Sequence, residues 1–518
     1  MKIKTLLVAP LAVAAFSAAF AGPVRYKAEN VVVFTGDDNY ATSINANGQM
    51  VGVATSDSGA PATAWFWNGT TFVAQTLTTL NGQSNPIPTK LNDFMQIVGY
   101  ATTPQSGPAQ PYGLYWSAPQ AGPILMSPLD GYSNGTCQIF GINNSGTMAG
   151  TANGWKVNNV FTNTLQAITG TAGVNTISNM KNPVNAATGT ASLFAVNDAG
   201  IAVGTGFDSA GKKRGVRLSG TVMTTPLDPA GATNGVEFTD INQSGIIVGN
   251  FWNSANVMQS FSRTTSGVYT AVAKLSGALT NDDTMLKAIN NSGAAVGLGS
   301  VAGSDRGLLW FNGTSYNLNS VLSSSNGTGI ITEATDINDK MQISTKTIYN
   351  GNVVRAQRLN PIQTISGTVA MNGFIGSYFE RYMSYEVYNF RGDEIESNNV
   401  LLTTPGSFSV DQIGQGAVKV RLKPQGCLAR VVNLDLSPFE GATVNFTYLG
   451  GDIDGDNEVS ILDYLKLSEN FGRDSNSPEW HSNGFDMAAK YSDLDGDNEI
   501  SILDYLILSG NYGMVGQD

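Results

Sequence analysis

The chain has 518 residues, 40 acidic and 28 basic side chains, two cysteines and a single histidine, His481. That length suits about three domains; two cysteines exclude a disulfide framework, and a single histidine excludes any multi-histidine zinc site and weighs heavily against triad-type hydrolase chemistry. Fifteen acidic residues but only Lys466, Arg473 and Lys490 fall after residue 449, so the net charge of -12 sits at the C-terminal end, and the clustered basic surface that nucleic acid requires is missing.

Residues 1–21 place Lys2 and Lys4 before an apolar run from Leu6 and close on Ala19-Phe20-Ala21, the order of a secretory signal peptide cleaved after Ala21. No later apolar run reaches the length of a membrane span. The expected product is a secreted, extracellular protein, associated in one reading with the cell surface.

From Tyr40 to about Asn360 one phrase recurs seven times, first as Ile44-Asn45-Ala46-Asn47-Gly48-Gln49-Met50-Val51-Gly52. Its asparagines are Asn45, Asn92, Asn143, Asn197, Asn242, Asn290 and Asn338, spaced by 45 to 54 residues. Each copy reads as a hairpin around a glycine turn, followed by an aromatic strand such as Trp65-Phe66-Trp67 and a second hairpin. Four short strands per unit predict a seven-bladed β-propeller over residues 22–360 rather than a β-solenoid, whose coils are shorter. Beside a tight turn the repeated asparagine reads as a backbone cap, and the tryptophans read as core before they read as a sugar platform. Met95 and Met341 stand where the other turns carry glycine, and Ser344-Thr345 replace Val-Gly in the seventh copy. The phrase resembles the bacterial extracellular HAF-type repeat.

Beyond Pro361 alternating strands separated by glycine turns, among them Ile365–Val369, Gly406–Val410 and Ala417–Leu422, predict a small β-sandwich over 361–449. The stretch resembles carboxypeptidase-regulatory-like or prealbumin-like modules, and a spacer role is expected of it ahead of glycan contact through Tyr378, Tyr382, Tyr385 and Tyr388.

The last segment, 450–518, says one thing twice. Asp452, Asp454, Asp456, Glu458, Ser460 and Asp463 occupy positions 1, 3, 5, 7, 9 and 12 of a calcium loop, and Asp493, Asp495, Asp497, Glu499, Ser501 and Asp504 repeat it. A hard cation takes oxygen donors at this spacing, with position 7 giving its backbone carbonyl and position 9 holding a water. Position 6 is Asn457 or Asn498 instead of glycine; asparagine tolerates the left-handed turn needed there. Each loop runs into one apolar helix, and the expected core sets Leu462, Leu465, Leu467 and Phe471 against Leu503, Leu506, Leu508 and Tyr512. A duplicated loop and exiting helix resembles a type I dockerin. The resemblance implies two Ca2+ ions and a cohesin-like receptor or scaffold partner contacted through Ile461, Leu462, Ile502 and Leu503. These four are aliphatic where many dockerins carry Ser or Thr, which leaves packing within the module as a second role.

The functional expectation is a non-catalytic multidomain docking protein, with polysaccharide a candidate ligand of the propeller. The competing expectation is a carbohydrate-active hydrolase or lyase, which needs a carboxylate pair across the scissile bond. The acidic residues of the repeats, Asp240, Asp282, Asp283, Glu333 and Asp336, follow no such motif. No catalytic residue is assigned.

Overall fold

The computed structural model describes residues 24–517 apart from 32–37, 56–60, 71–73, 80–83, 103–110, 127–135, 154, 158–159, 163–165, 172–176, 180–189, 324–328, 351, 378–380, 389–391, 404–405, 414–416, 436–438, 440 and 482–488. The expected signal peptide lies outside the described residues. The chain divides into two compact units, one of residues Arg25–Pro361 and one that takes in Ile362–Asp518.

In the first unit each repeat phrase forms the first two strands of a separate antiparallel sheet. The sheet of the fifth repeat is representative: Gly235–Ile241, Ile247–Trp252, Met258–Arg263 and Tyr269–Ala271 pair in chain order. Repeats one to four and six build the same four-stranded order. The seventh differs in its last strand. Ile330–Ile337 pairs with Ile343–Ile348, which pairs with the first stretch of the strand Val354–Met371, and that stretch pairs in turn with Tyr26–Asn30 from the start of the chain.

Strand alternation shares each sheet between two cores. Met50, Trp65 and Trp67 of the first sheet pack with Ala356 of the seventh, whereas Val51, Ala64 and Phe66 pack with Leu91, Ile97 and Trp116 of the second. The same bridging continues through Val98 to the third sheet, Ala149 to the fourth, Val203 to the fifth and Val248 to the sixth. Trp65, Trp67 and Trp116 are therefore core residues, and Trp252 lies half-buried with Lys213 Nζ 4.7 Å from its ring centre.

The repeated asparagines do two things at once. Each Oδ1 caps its own turn, as Asn242 does by accepting from Ile246 N at 2.9 Å. Each Nδ2 donates to the carbonyl of the next repeat's asparagine, from Asn45 through Asn92, Asn143, Asn197, Asn242 and Asn290 to Asn338. Asn338 Nδ2 then donates to the Asn45 carbonyl at 2.9 Å, so the circuit closes on itself. The capping expected from sequence is present, and the links between repeats are an addition that no single repeat could reveal. At the turns, Met95 (φ 62) and Met341 (φ 61) adopt the left-handed conformation that glycine takes in the other five.

In the second unit, the stretch of Val354–Met371 beyond Pro361 pairs antiparallel with Ser407–Ile413 and parallel with Gly441–Tyr448. A second sheet runs in the order Glu394–Leu401, Tyr382–Tyr388, Ala417–Pro424 and Arg430–Asp435. Ile365, Val369, Val444 and Tyr448 of the first sheet share one core with Met383, Val387, Val420 and Leu422 of the second. Cys427 is buried in that core, and burial pushes its thiol up to about 12, as it does for Cys137; both cysteines are free.

The remainder of this unit holds two short helices, Ile461–Asn470 and Ile502–Gly510. Their core corrects the expected one. Only Leu467 and Leu508 of the eight predicted positions are buried; Leu462, Leu465, Phe471, Leu503, Leu506 and Tyr512 are exposed. A helix this short has one buried edge, set by residues four apart, here Asp463 with Leu467 and Asp504 with Leu508. The missing core partners come from elsewhere: Val459 just before the first helix, Trp480, Leu494 and Ile500 between the two, and Leu428 and Leu449 from the neighbouring strand region.

Candidate metal centres and docking face

The two acidic loops fold alike because each begins at a buried aspartate and ends in a capped helix. Ser460 is the N-cap, its Oγ accepting from Leu462 N at 3.1 Å, and Asp463 returns the bond from Ser460 N at 2.7 Å. Ser501 and Asp504 repeat this capping box, with Ser501 N donating to Asp504 at 2.7 Å. Asp463 and Asp504 are fully buried, and each also reaches back to the start of its loop, accepting from Ile453 N and Asp454 N or from Leu494 N and Asp495 N. Asn457 and Asn498 both sit at φ 73, the left-handed turn expected of position 6.

Carboxylate oxygens of Asp452, Asp454 and Asp463 lie within 4.8 Å of one another, as do those of Asp493, Asp495 and Asp504. Of the residues expected at each loop, positions 1, 3 and 12 thus converge. Asp456 and Asp497 instead face their own turns, accepting from Glu458 N and Glu499 N at 2.9 Å in both loops. Glu458 and Glu499 are exposed. An all-oxygen donor set of this kind suits a hard divalent cation and offers nothing to a soft one. Burial raises the carboxyls of Asp452, Asp454 and Asp504 above the usual range, and takes Asp493 up to about 6. Crowded, desolvated carboxylates are the condition that a bound dication relieves.

Two cations from the strand region also serve these loops. Lys423 Nζ stands 2.6 Å from Asp452 Oδ2 and 2.7 Å from the Gly455 carbonyl. Arg381 donates to the carbonyls of Asp493 and Lys490 at 2.8 and 3.1 Å. Sequence reading found neither, because they lie 29 and 112 residues from the loops they serve.

Ile461, Leu462, Ile502 and Leu503 project from the first turns of the two helices and are 49–58% exposed. They do not pack inside the module or against the strands. Leu465 and Leu506 extend the face, and the rings of Tyr464 and Tyr505 meet edge-on with centres 5.8 Å apart, joining its two halves.

The repeat carboxylates singled out from sequence each have a structural engagement. Asp282 accepts from Leu279 N, Ala302 N and Gly303 N, Asp283 from Met258 N, and Glu333 pairs with Lys287. Asp240 and Asp336 bond backbone amides beside a central cavity.

A family model for the dockerin type I domain matches residues 450–511. No curated protein matches the chain. Among solved structures, a type II cohesin-X-dockerin complex from Acetivibrio cellulolyticus aligns with 30% of this chain and 97% of its own at 17% identity, TM-score 0.23. An oligogalacturonate lyase from Vibrio parahaemolyticus aligns with 65% of this chain and 98% of its own at 10% identity, TM-score 0.42. TolB from Acinetobacter baumannii aligns with 63% of this chain and 64% of its own at 12% identity, TM-score 0.33. No described helix is long and apolar enough to cross a membrane. The loop spacing, the converging aspartates and the family match together identify residues 450–511 as a type I dockerin domain, a module that binds calcium and docks to cohesins.

Proposed function

We propose that the chain is a secreted, non-catalytic docking protein whose C-terminal module attaches it to a cohesin-bearing scaffold. The observation that carries this reading is the duplicated aliphatic pair, Ile461-Leu462 and Ile502-Leu503, held outward on two loops of equal geometry. Large apolar side chains left in water on a small module mark a protein interface. Two Ca2+ ions, one per loop, hold the helices in place, with Asp452, Asp454 and Asp463 or Asp493, Asp495 and Asp504 as carboxylate ligands. Asp456 and Asp497 join them on a small rotation, Glu458 and Glu499 give carbonyls, and Ser460 and Ser501 hold waters.

The domain plan in this reading is a signal peptide over 1–21, a seven-bladed β-propeller to residue 360, a β-sandwich over 361–449 and the dockerin to 518. The closed asparagine circuit and the N-terminal strand in the seventh sheet support the propeller. It presents the binding surface, with polysaccharide as the candidate ligand, while the dockerin fixes its location.

Titration calorimetry of the full chain against a panel of cohesins, with calcium and with chelator, tests the docking. Tight binding in calcium is expected, lost in chelator and in the Leu462→Asp/Leu503→Asp double variant. Failure of every cohesin to bind the calcium-loaded chain would reject the reading. Reproducible turnover of a glycan by the full chain would replace the non-catalytic reading with the hydrolase or lyase one.

A further inference from the structure

The first strands of the seven repeats surround a cavity of about 140 Å3. In every one of these strands the register shifts just before the residue two places ahead of the repeat asparagine, namely Ser43, Lys90, Gly141, Ala195, Asp240, Ala288 and Asp336. The residue that follows turns its amide to this layer. Asp240 bridges two such amides, Ile241 N at 2.8 Å and Ile289 N at 2.9 Å. Asp336 bridges Ile337 N at 3.0 Å and Ile44 N at 3.1 Å, and Ser43 Oγ takes Leu91 N at 3.3 Å.

Five of the seven amides are thus met by a side-chain oxygen. The remaining two belong to Ile142 and Val196, in consecutive repeats, and the side chains that would serve them are Lys90, Gly141 and Ala195, none of which carries an acceptor. Among the described residues neither amide bonds a side chain. Nor can the chain add one at Gly141, where a Cβ would stand 2.8 Å from the Phe194 carbonyl. Ile142 and Val196 line the cavity together with Lys90 and Asp240, and the Lys90 ammonium, which has three N–H groups, spends one on Asp336 Oδ2 at 2.7 Å.

We propose that this cavity is a binding site for a small carboxylate, whose two oxygens take the amides of Ile142 and Val196 as Asp240 and Asp336 take the other pairs, with Lys90 beside them. The charges on its lining are the Asp240 and Asp336 carboxylates and the Lys90 and Lys287 ammoniums, and Lys287 is already paired with Glu333, which leaves one carboxylate in excess. A carboxylate alone would deepen that excess, so the ligand carries its own ammonium toward Asp240; an α-amino acid of glycine size meets both demands. Desolvated groups of this kind bind only when every donor and charge is answered.

The probe is glycine, compared with acetate and methylammonium at one pH and one ionic strength, titrated into the full chain and followed by calorimetry and by the amide resonances of Ile142 and Val196. Glycine is expected to shift both resonances and to bind about tenfold more tightly than acetate, since acetate leaves the charge excess unrelieved. Ala195→Leu, which enlarges a residue of the cavity lining, should abolish binding, and Lys90→Met should weaken it about tenfold. Equal binding of acetate and glycine would overturn the ammonium's part. Resonances of the wild-type chain that stay fixed up to saturation of a millimolar site would overturn the site itself and leave the two amides to water, as would unchanged glycine binding in both folded variants.

Discussion

Lys423 Nζ lies 2.6 Å from Asp452 Oδ2, so the first calcium loop of the dockerin holds a cation from the adjoining strands, with Asp452 fully buried and the Lys423 side chain 13% exposed. The ammonium neutralises one loop carboxylate. Removing one member of a buried pair strands the other, at a cost of about 3 kcal/mol or more, and calcium offsets that cost by supplying charge of its own. Lys423→Met is therefore expected to lower the melting temperature of the C-terminal region strongly in chelator and little in saturating calcium. Scanning calorimetry of the full chain under both conditions decides it; equal losses in the two would show that Lys423 acts through packing alone.

Asp504 is the pivot of the second loop. Its fully buried carboxylate accepts from Ser501, Leu494 and Asp495 backbone amides, and it is one of three whose oxygens lie within 4.8 Å of one another. Asp504→Ala leaves three amides without partners and is expected to cost about 3 kcal/mol or more even before the metal is counted. Calcium titration should then yield one bound ion per chain where the wild type yields two. A variant that still bound two would remove Asp504 from the ligand set.

Much of this was legible because repetition multiplies weak signals. One asparagine-led turn says little, but seven at near-constant spacing reported seven sheets, and two copies of an aspartate ladder reported two loops. What stayed hidden depends on neighbours distant in the chain. The Asn338 to Asn45 link spans 293 residues and the Tyr26–Asn30 strand joins a sheet whose other strands begin at Ile330. The helix core was misread for a related reason: Leu462 and Leu503 look like core on composition, yet Leu428 and Leu449 occupy the space they were expected to fill. Local hydrophobicity says that a residue prefers burial, and only the tertiary arrangement says which ones obtain it.

Six strand glycines, Gly52, Gly99, Gly150, Gly204, Gly249 and Gly297, face a carbonyl of the paired strand just ahead of its register shift. At Gly204 a Cβ would fall 2.0 Å from the Ser192 oxygen, and both sides of that contact are backbone. The seventh position is Thr345, where the first strand carries a further shift between Ile331 and Glu333. Gly204→Ala is expected to destabilise the first unit by about 3 kcal/mol, the upper end of overpacking costs, because no side chain can swing aside. Gly122→Ala meets nothing within 4 Å and should be neutral. Thermal unfolding of both variants beside the wild type checks the contrast, and equal stability of all three would mean the strands can separate freely at this point.

The Asp240 carboxyl gives the first unit a pH dependence of definite sign. Burial, opposed by the Lys90 ammonium and aided by the Asp336 carboxylate, pushes it up to about 6. In an unfolded chain an aspartate titrates at about 3.9. The folded state therefore holds this proton more tightly, so the stabilisation that protonation gives is complete below about pH 4 and is lost as the pH rises through 6, a difference of about 3 kcal/mol across the window. Asp240→Asn cannot titrate and lacks this term. The melting temperature of the wild type relative to Asp240→Asn should accordingly move in the wild type's favour as the pH falls from 7 to 4, with most of the change between about 6 and 4. Melts of the two proteins at matched pH values isolate the residue from every other titrating group they share. A difference that stays constant over that range would mean that Asp240 is as acidic folded as unfolded, and that its two amide bonds and the nearby ammonium outweigh its burial.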